Sequence, residues 1–194
     1  MSETLLVQNI RHLVTCDDQD QVLEHINLLA TNGVITSIGS ETPPADRVID
    51  ASGMAVYPGL INTHHHLYQI LTRNLPQVQN LELFDWLNAL YGIWQNLTME
   101  GVYHSSLAGM GELAKYGCTT VFDHHYVFPN ASGDLLAAQF QAADEIGVRL
   151  VASRGSMSLS RKDGGLPPDS VVQPVDAILA DSMRAVEKWH DPSP

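Results

Sequence analysis

The sequence predicts an α/β protein: a small β domain over residues 1–57, then the N-terminal part of a (β/α)8 barrel over residues 58–194. Before residue 58, short apolar runs are separated by turn signals, which is typical of β-structure. After it, strand-like apolar runs alternate with helical periodicity, which indicates a parallel sheet covered by helices. A complete barrel takes about 250 residues. We therefore expect a barrel truncated after about three strands rather than a small open sheet.

The clearest local signal in the β domain is a hairpin. Two apolar runs, Ile26–Ala30 and Val34–Ile38, flank Asn32-Gly33, and Asn-Gly between such runs favours a two-residue turn. Strands are also expected near residues 5–7, 47–50 and 54–57, and no helix is predicted in this domain.

In the second part, strands and helices are expected to alternate. The first strand begins at Leu60 and ends in histidines, and two more are predicted at 118–123 and 148–153. Helical periodicity covers 82–95, 98–116, 133–146 and 174–190. The first connection is far longer than one βα unit, so we expect it to place extra helices over the site.

The amino-acid composition argues against some classes of binding partner and indicates a cellular compartment. The 194 residues are 44% hydrophobic and 16% charged, with a formal net charge of −12, which argues against nucleic acid as a partner. The two cysteines, Cys16 and Cys118, are far apart, which is typical of a reducing compartment. With no signal peptide and no apolar run long enough for a membrane span, the sequence predicts a cytoplasmic protein that does not bind membranes.

The histidine run Thr63-His64-His65-His66 is the strongest chemical signal. On a strand, alternate side chains share a face, so His64 and His66 are expected side by side. Histidine is the commonest metal ligand, and two imidazoles on one face make half of a catalytic metal site. A surface histidine run is the alternative, but the apolar residues Leu60 and Ile61 favour a buried strand.

Four segments in this order carry a resemblance to a known family: residues 56–66, 66–73, 117–126, and 154–159 with 163–168. Together they resemble the amidohydrolase superfamily, in its branch of cytosine and guanine deaminases and triazine hydrolases, and are most similar to deaminases of 8-oxoguanine. The resemblance covers essentially the whole chain.

The resemblance implies a barrel of the metal-dependent hydrolase type, flanked by a small β-sandwich built from both chain ends. It also implies one zinc ion per subunit, held by His64, His66, two later histidines and an aspartate, with a glutamate to move protons. The acid/base Glu and Asp are expected beyond residue 194, so no catalytic residue is assigned in this chain. Iron(II) stays open, since both metals accept imidazole and carboxylate.

The implied reaction is hydrolytic deamination, converting 8-oxoguanine to urate and ammonia by metal-activated water. The alternatives are a guanine deaminase, a triazine amino- or chlorohydrolase, and a non-catalytic N-terminal fragment. The expected partner is a small purine or triazine, a homo-oligomer is left open, and the 194-residue chain alone is expected to be inactive.

Three candidate substrate contacts lie in the first connection. By resemblance to guanine deaminases, the amide of Gln69 is expected to hydrogen-bond the purine edge, since an amide carries both donor and acceptor. Arg73 is a candidate donor to a substrate carbonyl, with a solvated surface charge as an equal alternative. Trp86 is a candidate lid residue stacking on the purine, although aromatic residues at helical spacing are more often core.

Two further candidates, His125 and Arg154, follow the second and third predicted strands. Barrel active sites collect at the carboxyl ends of the strands, which favours a substrate contact for each. For Arg154 the comparable alternative is a structural ion pair, for example with Asp123. His124 is expected to be a wall residue rather than a ligand.

Overall fold

The computed structural model describes residues 3–192, and the chain divides between Gly59 and Leu60 into two compact units. In the first unit the strands are β1 (Thr4–Val14), β2 (Val22–Thr31), β3 (Val34–Gly39), β4 (Arg47–Asp50) and β5 (Ala55–Val56). In the second unit the strands are β6 (Leu60–His65), β7 (Cys118–Asp123) and β8 (Arg149–Ala152). Its helices are α1 (Leu83–Trp94), α2 (Met99–Lys115), α3 (Leu135–Ile146) and α4 (Val175–Trp189), with short 3-10 helices at Leu67–Thr72, Pro76–Val78, Arg161–Asp163 and Asp169–Val171.

The first unit is a mixed sheet in the order β3-β2-β1-β4, with β5 also paired to β1. The predicted hairpin is confirmed: β2 and β3 pair antiparallel around Asn32 and Gly33, whose φ angles are 50° and 81°. Positive φ at both central residues is the type I′ geometry that matches strand twist. Ile10, Leu13 and Ala51 form the buried core of this unit.

Residues 3–59 form one sheet in the part of the chain that the structure describes. The predicted sandwich requires a second sheet facing this one, so that part of the expectation stays a prediction.

The second unit is a parallel sheet in the order β6-β7-β8. Each of the four predicted helices is present within its predicted range, so the expected alternation of strand and helix is confirmed. Helices α2 and α3 pack together, and the core beneath the sheet contains Leu67, Met110, Val121 and Ala142. Barrel closure needs more strands than residues 60–192 provide, and it stays a prediction.

Helix ends follow local chemistry. The Thr98 side chain accepts a hydrogen bond from the Gly101 amide at 3.1 Å and so caps the start of α2. Gly117, two residues after the end of α2, has φ of 81°, which a glycine adopts without steric cost. It leads the chain straight into β7.

The expected burial of β6 is wrong in the described part of the molecule. Leu60 and Ile61 are 61% and 66% exposed. The reason is that β6 is an edge strand that pairs with β7 alone among residues 60–192. The strand itself was correctly predicted, but the argument from its apolar residues to burial was not.

The first connection carries the extra helices that its length predicted. Two 3-10 helices and α1 precede α2, and Gly109 of α2 packs closely under the first of them. A Cβ atom at Gly109 would lie 2.7 Å from Leu67 Cδ2 and 2.8 Å from Ile70 Cδ1. None of the helices in residues 3–192 is both long enough and apolar enough to cross a bilayer.

Candidate metal and substrate site

The imidazoles of His64 and His66 meet at the carboxyl end of β6. Their Nε2 atoms are 3.2 Å apart, and the rings stand nearly perpendicular, at 85°. Two nitrogens bound at about 2.05 Å to one tetrahedral zinc ion would lie about 3.3 Å apart. The separation therefore suits two ligands of a single metal ion.

A backbone contact sets the orientation of the His66 ring. Nδ1 of His66 lies 2.7 Å from the carbonyl oxygen of His124. Because a carbonyl only accepts, Nδ1 carries the proton, and in the neutral ring the lone pair belongs to Nε2. A carbonyl or carboxylate partner of this kind is usual for histidines that bind metals. Burial also lowers the pKa of His66, which favours the neutral form that binds a metal.

His124 stacks on His64 with ring centroids 4.3 Å apart and an interplanar angle of 13°. Its Nε2 lies 3.3 Å from the carbonyl oxygen of Thr63, so that nitrogen is occupied as a donor. This supports the expectation of a wall residue. Within residues 3–192, no cluster of three or more His, Cys, Asp or Glu is arranged to hold a metal.

A pocket of about 380 Å³ opens beside the two imidazoles. Its lining includes Gln69, Arg73 and Trp86, three of the five candidate substrate contacts. The first 3-10 helix and α1 place these side chains there. The pocket therefore brings together a pair of imidazole nitrogens, an amide, a guanidinium and an indole.

The amide of Gln69 belongs to a polar network with two tyrosines. Its Nε2 lies 3.3 Å from the Tyr68 hydroxyl and 3.4 Å from the Tyr126 hydroxyl. Tyr126 in turn packs edge-on against the His66 ring, at 5.4 Å between centroids. Sequence reasoning missed Tyr126; its position three residues after the end of β7 was the available signal.

Arg73 and Trp86 have protein partners as well as pocket surface. Arg73 donates from Nη1 to Glu112 Oε2 at 2.9 Å, and both side chains are about half exposed. Trp86 packs edge-on against the fully buried Trp94, at 5.4 Å between centroids. Trp86 therefore lies at the border between core and pocket, and the substrate roles of both residues stay predictions.

His125 and Arg154 lie away from the lining of this pocket. His125 is fully buried, packs against Tyr68 and Phe128, and its Nε2 lies 3.0 Å from the Val127 carbonyl oxygen. Burial lowers the pKa of His125 to about 4. The geometry favours a neutral packing residue over the predicted substrate contact.

Arg154 forms a structural ion pair, but with a different partner from the one that we considered. Its Nε donates to Asp181 Oδ2 at 2.8 Å, and its other nitrogens donate to Gly155 O and Gln173 Oε1, each at 2.6 Å. The guanidinium also lies 4.1 Å from the ring centroid of Phe128. With these donors engaged, the geometry favours the structural alternative over a substrate contact.

Asp123 is the buried carboxylate at this end of the sheet. It is 0% exposed, and burial raises its pKa to about 6. Oδ1 accepts from the Leu67 amide and Oδ2 from Gln139 Nε2, each at 2.6 Å. The sequence placed Asp123 at the end of a strand, but not in contact with the residue that follows His66.

The chain resembles characterised proteins over most of its length. It is 44% identical to the 8-oxoguanine deaminase of Pseudomonas aeruginosa over 160 residues, covering 81% of this chain and 36% of that protein. It is 36% identical to hydroxydechloroatrazine ethylaminohydrolase of Pseudomonas sp. strain ADP over 205 residues, covering 98% of this chain and 43% of that protein.

Solved structures agree with this likeness. The zinc complex of atrazine chlorohydrolase from Arthrobacter aurescens TC1 superposes with a TM-score of 0.90 and 31% sequence identity. The match covers 98% of this chain and 44% of that one. The chain thus spans less than half the length of these relatives.

A family model described as "Amidohydrolase family" matches residues 55–192. That range covers most of the chain and contains the histidine pair, the pocket and the whole parallel sheet. This chain belongs to the amidohydrolase family.

Proposed function

We propose that the protein to which this chain belongs is a zinc-dependent aminohydrolase that converts 8-oxoguanine to urate and ammonia. The observation that carries the proposal is the 3.2 Å separation of the His64 and His66 Nε2 atoms beside a pocket that contains an amide and an indole. In this proposal residues 58–194 supply the N-terminal part of the barrel, and residues 1–57 supply part of a β-sandwich.

His64 and His66 would hold the metal, and the His124 carbonyl would keep the His66 ring in the binding tautomer. When bound, zinc lowers the pKa of a water molecule to about 7 and so supplies hydroxide at neutral pH. Water adds to the amino-bearing carbon of the purine, the C–N bond breaks, and the nitrogen leaves as ammonia after gaining a proton. The later metal ligands and the acid/base Glu and Asp are proposed to lie beyond residue 194.

Two pocket residues fit a flat, oxygen-rich base. The Gln69 amide donates and accepts, which suits the lactam edge of an oxopurine, and the two tyrosine hydroxyls beside it limit its rotation. Trp86 presents an aromatic ring to the pocket, and stacking on a base is favourable for any purine. Arg73 would donate to a substrate carbonyl by leaving Glu112.

The likeness to triazine hydrolases supports a second candidate, removal of an amino or chloro group from a triazine. A guanine deaminase is the nearest purine alternative. Iron(II) is an alternative to zinc, and a cytoplasmic location and self-association are further parts of the proposal that need direct measurement.

A kinetic panel on the protein expressed from the complete reading frame tests the proposal. We expect 8-oxoguanine to have a higher kcat/KM than guanine, pterin-like bases or hydroxytriazines, with ammonia and urate formed in equal amounts. Faster turnover of a triazine would favour the second candidate. No turnover of any base, with a stop codon directly after Pro194, would favour the non-catalytic fragment.

A further inference from the structure

We propose that Asp123 is a positioning residue for His66, acting through the backbone amide of Leu67. The inference rests on the proposed metal site, because it concerns how one of the two ligands is held. Asp123 touches neither the metal-binding nitrogens nor the substrate pocket in this structure.

The backbone needs such a partner directly after His66. A 3-10 helix begins at Leu67, and the first amides of a helix have no partner within the helix. His66 precedes that helix, and its side chain does not cap it. The Asp123 carboxylate fills this role from the end of β7, accepting from the Leu67 amide at 2.6 Å. A hydrogen bond to a charged acceptor is about twice as strong as a neutral one.

The carboxylate is itself held in place. Its second oxygen accepts from Gln139 Nε2 at 2.6 Å, and Asp123 and Gln139 are both fully buried. Nδ1 of His125 faces the same oxygen at 3.9 Å, too far for a hydrogen bond. Helix α3, through Gln139, thus keeps the carboxylate against the Leu67 amide.

Two consecutive residues of the β7 end therefore act on one ligand. The His124 carbonyl fixes the ring of His66 at Nδ1, and Asp123 fixes the backbone at the next residue. Both contacts are needed to fix the position of the His66 ring. The hydrogen bond from its side chain controls rotation of the ring, and the hydrogen bond from the Leu67 amide controls where the Cα atom of His66 lies. Partners of this kind around a ligand typically change metal affinity by about 10- to 100-fold when they are removed.

A purely structural role is the competing explanation, and a matched variant separates the two. Asp134 also accepts from a backbone amide, that of Ala137 at 3.0 Å, where it caps α3. Asp134→Ala removes a carboxylate–amide bond, together with ion pairs to Arg184 and Lys188, at the start of a helix that bears no proposed ligand and reaches the site only through Gln139. Asp123→Leu removes the bond beside His66, and Asp123→Asn keeps the shape while removing the charge.

The experiment uses the protein expressed from the complete reading frame, first without metal. Nitrogen-15 NMR of the imidazoles reports the tautomer of His66 and the protection of its Nδ1 proton. Zinc affinity is then measured by competition with a chromophoric chelator. We expect Asp123→Leu to mix the His66 tautomers and to weaken zinc binding by about 10-fold or more, Asp123→Asn to do both to a smaller degree, and Asp134→Ala to do neither.

An unchanged His66 tautomer together with an unchanged zinc affinity in Asp123→Leu would overturn the inference. If that variant does not fold, Asp123→Asn decides by the same two criteria. If the wild-type protein from the complete reading frame does not bind zinc, the proposed metal site loses its support, whereas the tautomer measured without metal still judges the role of Asp123.

Discussion

The carboxyl ends of β6 and β8 lie at the same edge of the parallel sheet. The polar residues that follow these two strands differ in whether their side-chain nitrogens face a pocket or bind protein acceptors. After β6, His66 donates a hydrogen bond from Nδ1 to a backbone carbonyl, and its Nε2 lies near His64 beside a pocket. After β8, Arg154 donates to three protein acceptors. A place at the carboxyl end of a strand is therefore not enough for a functional role, which also requires a polar atom that faces a pocket.

The largest expected effect tests the β6 side of this comparison. His66→Ala removes one of the two imidazole nitrogens, and we expect the zinc affinity of the protein expressed from the complete reading frame to fall by more than about 100-fold, beyond the range of residues that do not themselves bind the metal. Competition with a chelator measures it. His104→Ala, which changes a histidine exposed on α2, should leave zinc binding unaltered. Equal losses in both variants would show that the measured binding is nonspecific.

The pH dependence of stability separates two buried groups at the end of β7. Burial raises the pKa of Asp123 to about 6, above its value of 3.8 in the unfolded chain, so its stabilising contribution is complete below pH 3.8 and is lost as pH rises through 6. Burial lowers the pKa of His125 from 6.5 to about 4, so its contribution is complete above pH 6.5 and is lost as pH falls through 4. As pH changes, the contributions of Asp123 and His125 to stability therefore change in opposite directions.

The free energies of unfolding of two single variants, each taken relative to wild type, should therefore change in opposite directions, by about 2–3 kcal/mol each between pH 7.5 and pH 4. Relative to wild type, Asp123→Asn should lose stability on acidification and His125→Leu should gain it. Urea unfolding followed by circular dichroism measures both free energies of unfolding. Parallel curves for the three proteins would show that neither group titrates across this range.

A substitution of Arg154, after β8, is expected to lower the stability of the protein without changing its zinc affinity. Arg154→Leu leaves Asp181 without one of its partners, and we expect a loss of about 2 kcal/mol in the free energy of unfolding. This is less than a fully buried pair would lose, because Asp181 is about one-third exposed and keeps Arg184. Zinc affinity, measured on the same preparation, should match wild type. A weakened zinc site in a folded Arg154→Leu protein would contradict the division between the two strand ends.

The smallest expected effect concerns Gln69 and tests its role as a substrate contact in the pocket. In the complete protein, Gln69→Leu should leave the zinc affinity unchanged and raise KM for the purine about 5-fold, the value of one neutral hydrogen bond. Tyr126→Phe provides the comparison, because it keeps the ring against His66 and removes only the hydroxyl. A change in zinc affinity on Gln69→Leu would place the amide in the metal site rather than in the substrate pocket.

Much of the secondary structure of both units could be predicted because its signals are local. Apolar strands, helix ends at Thr98 and Gly117, and the Asn32-Gly33 turn depend on neighbours a few residues away. The exposure of Leu60 and Ile61 could not be predicted, since it depends on which strands lie beside β6. The positions of Arg73 and Trp86 at the pocket followed from the long first connection, but their partners Glu112 and Trp94 did not.

The sequence by itself determined the alternation of strands and helices and the spacing that sets His64 two residues before His66. Only the tertiary structure decided which polar side chains at the strand ends face the pocket. His66 and His125 both follow apolar strands, yet a carbonyl 58 residues away orients one ring towards the pocket, whereas packing between Tyr68 and Phe128 buries the other. The physical reason is that a lone pair stays available for chemistry only where long-range packing brings no donor to it and leaves it access to solvent.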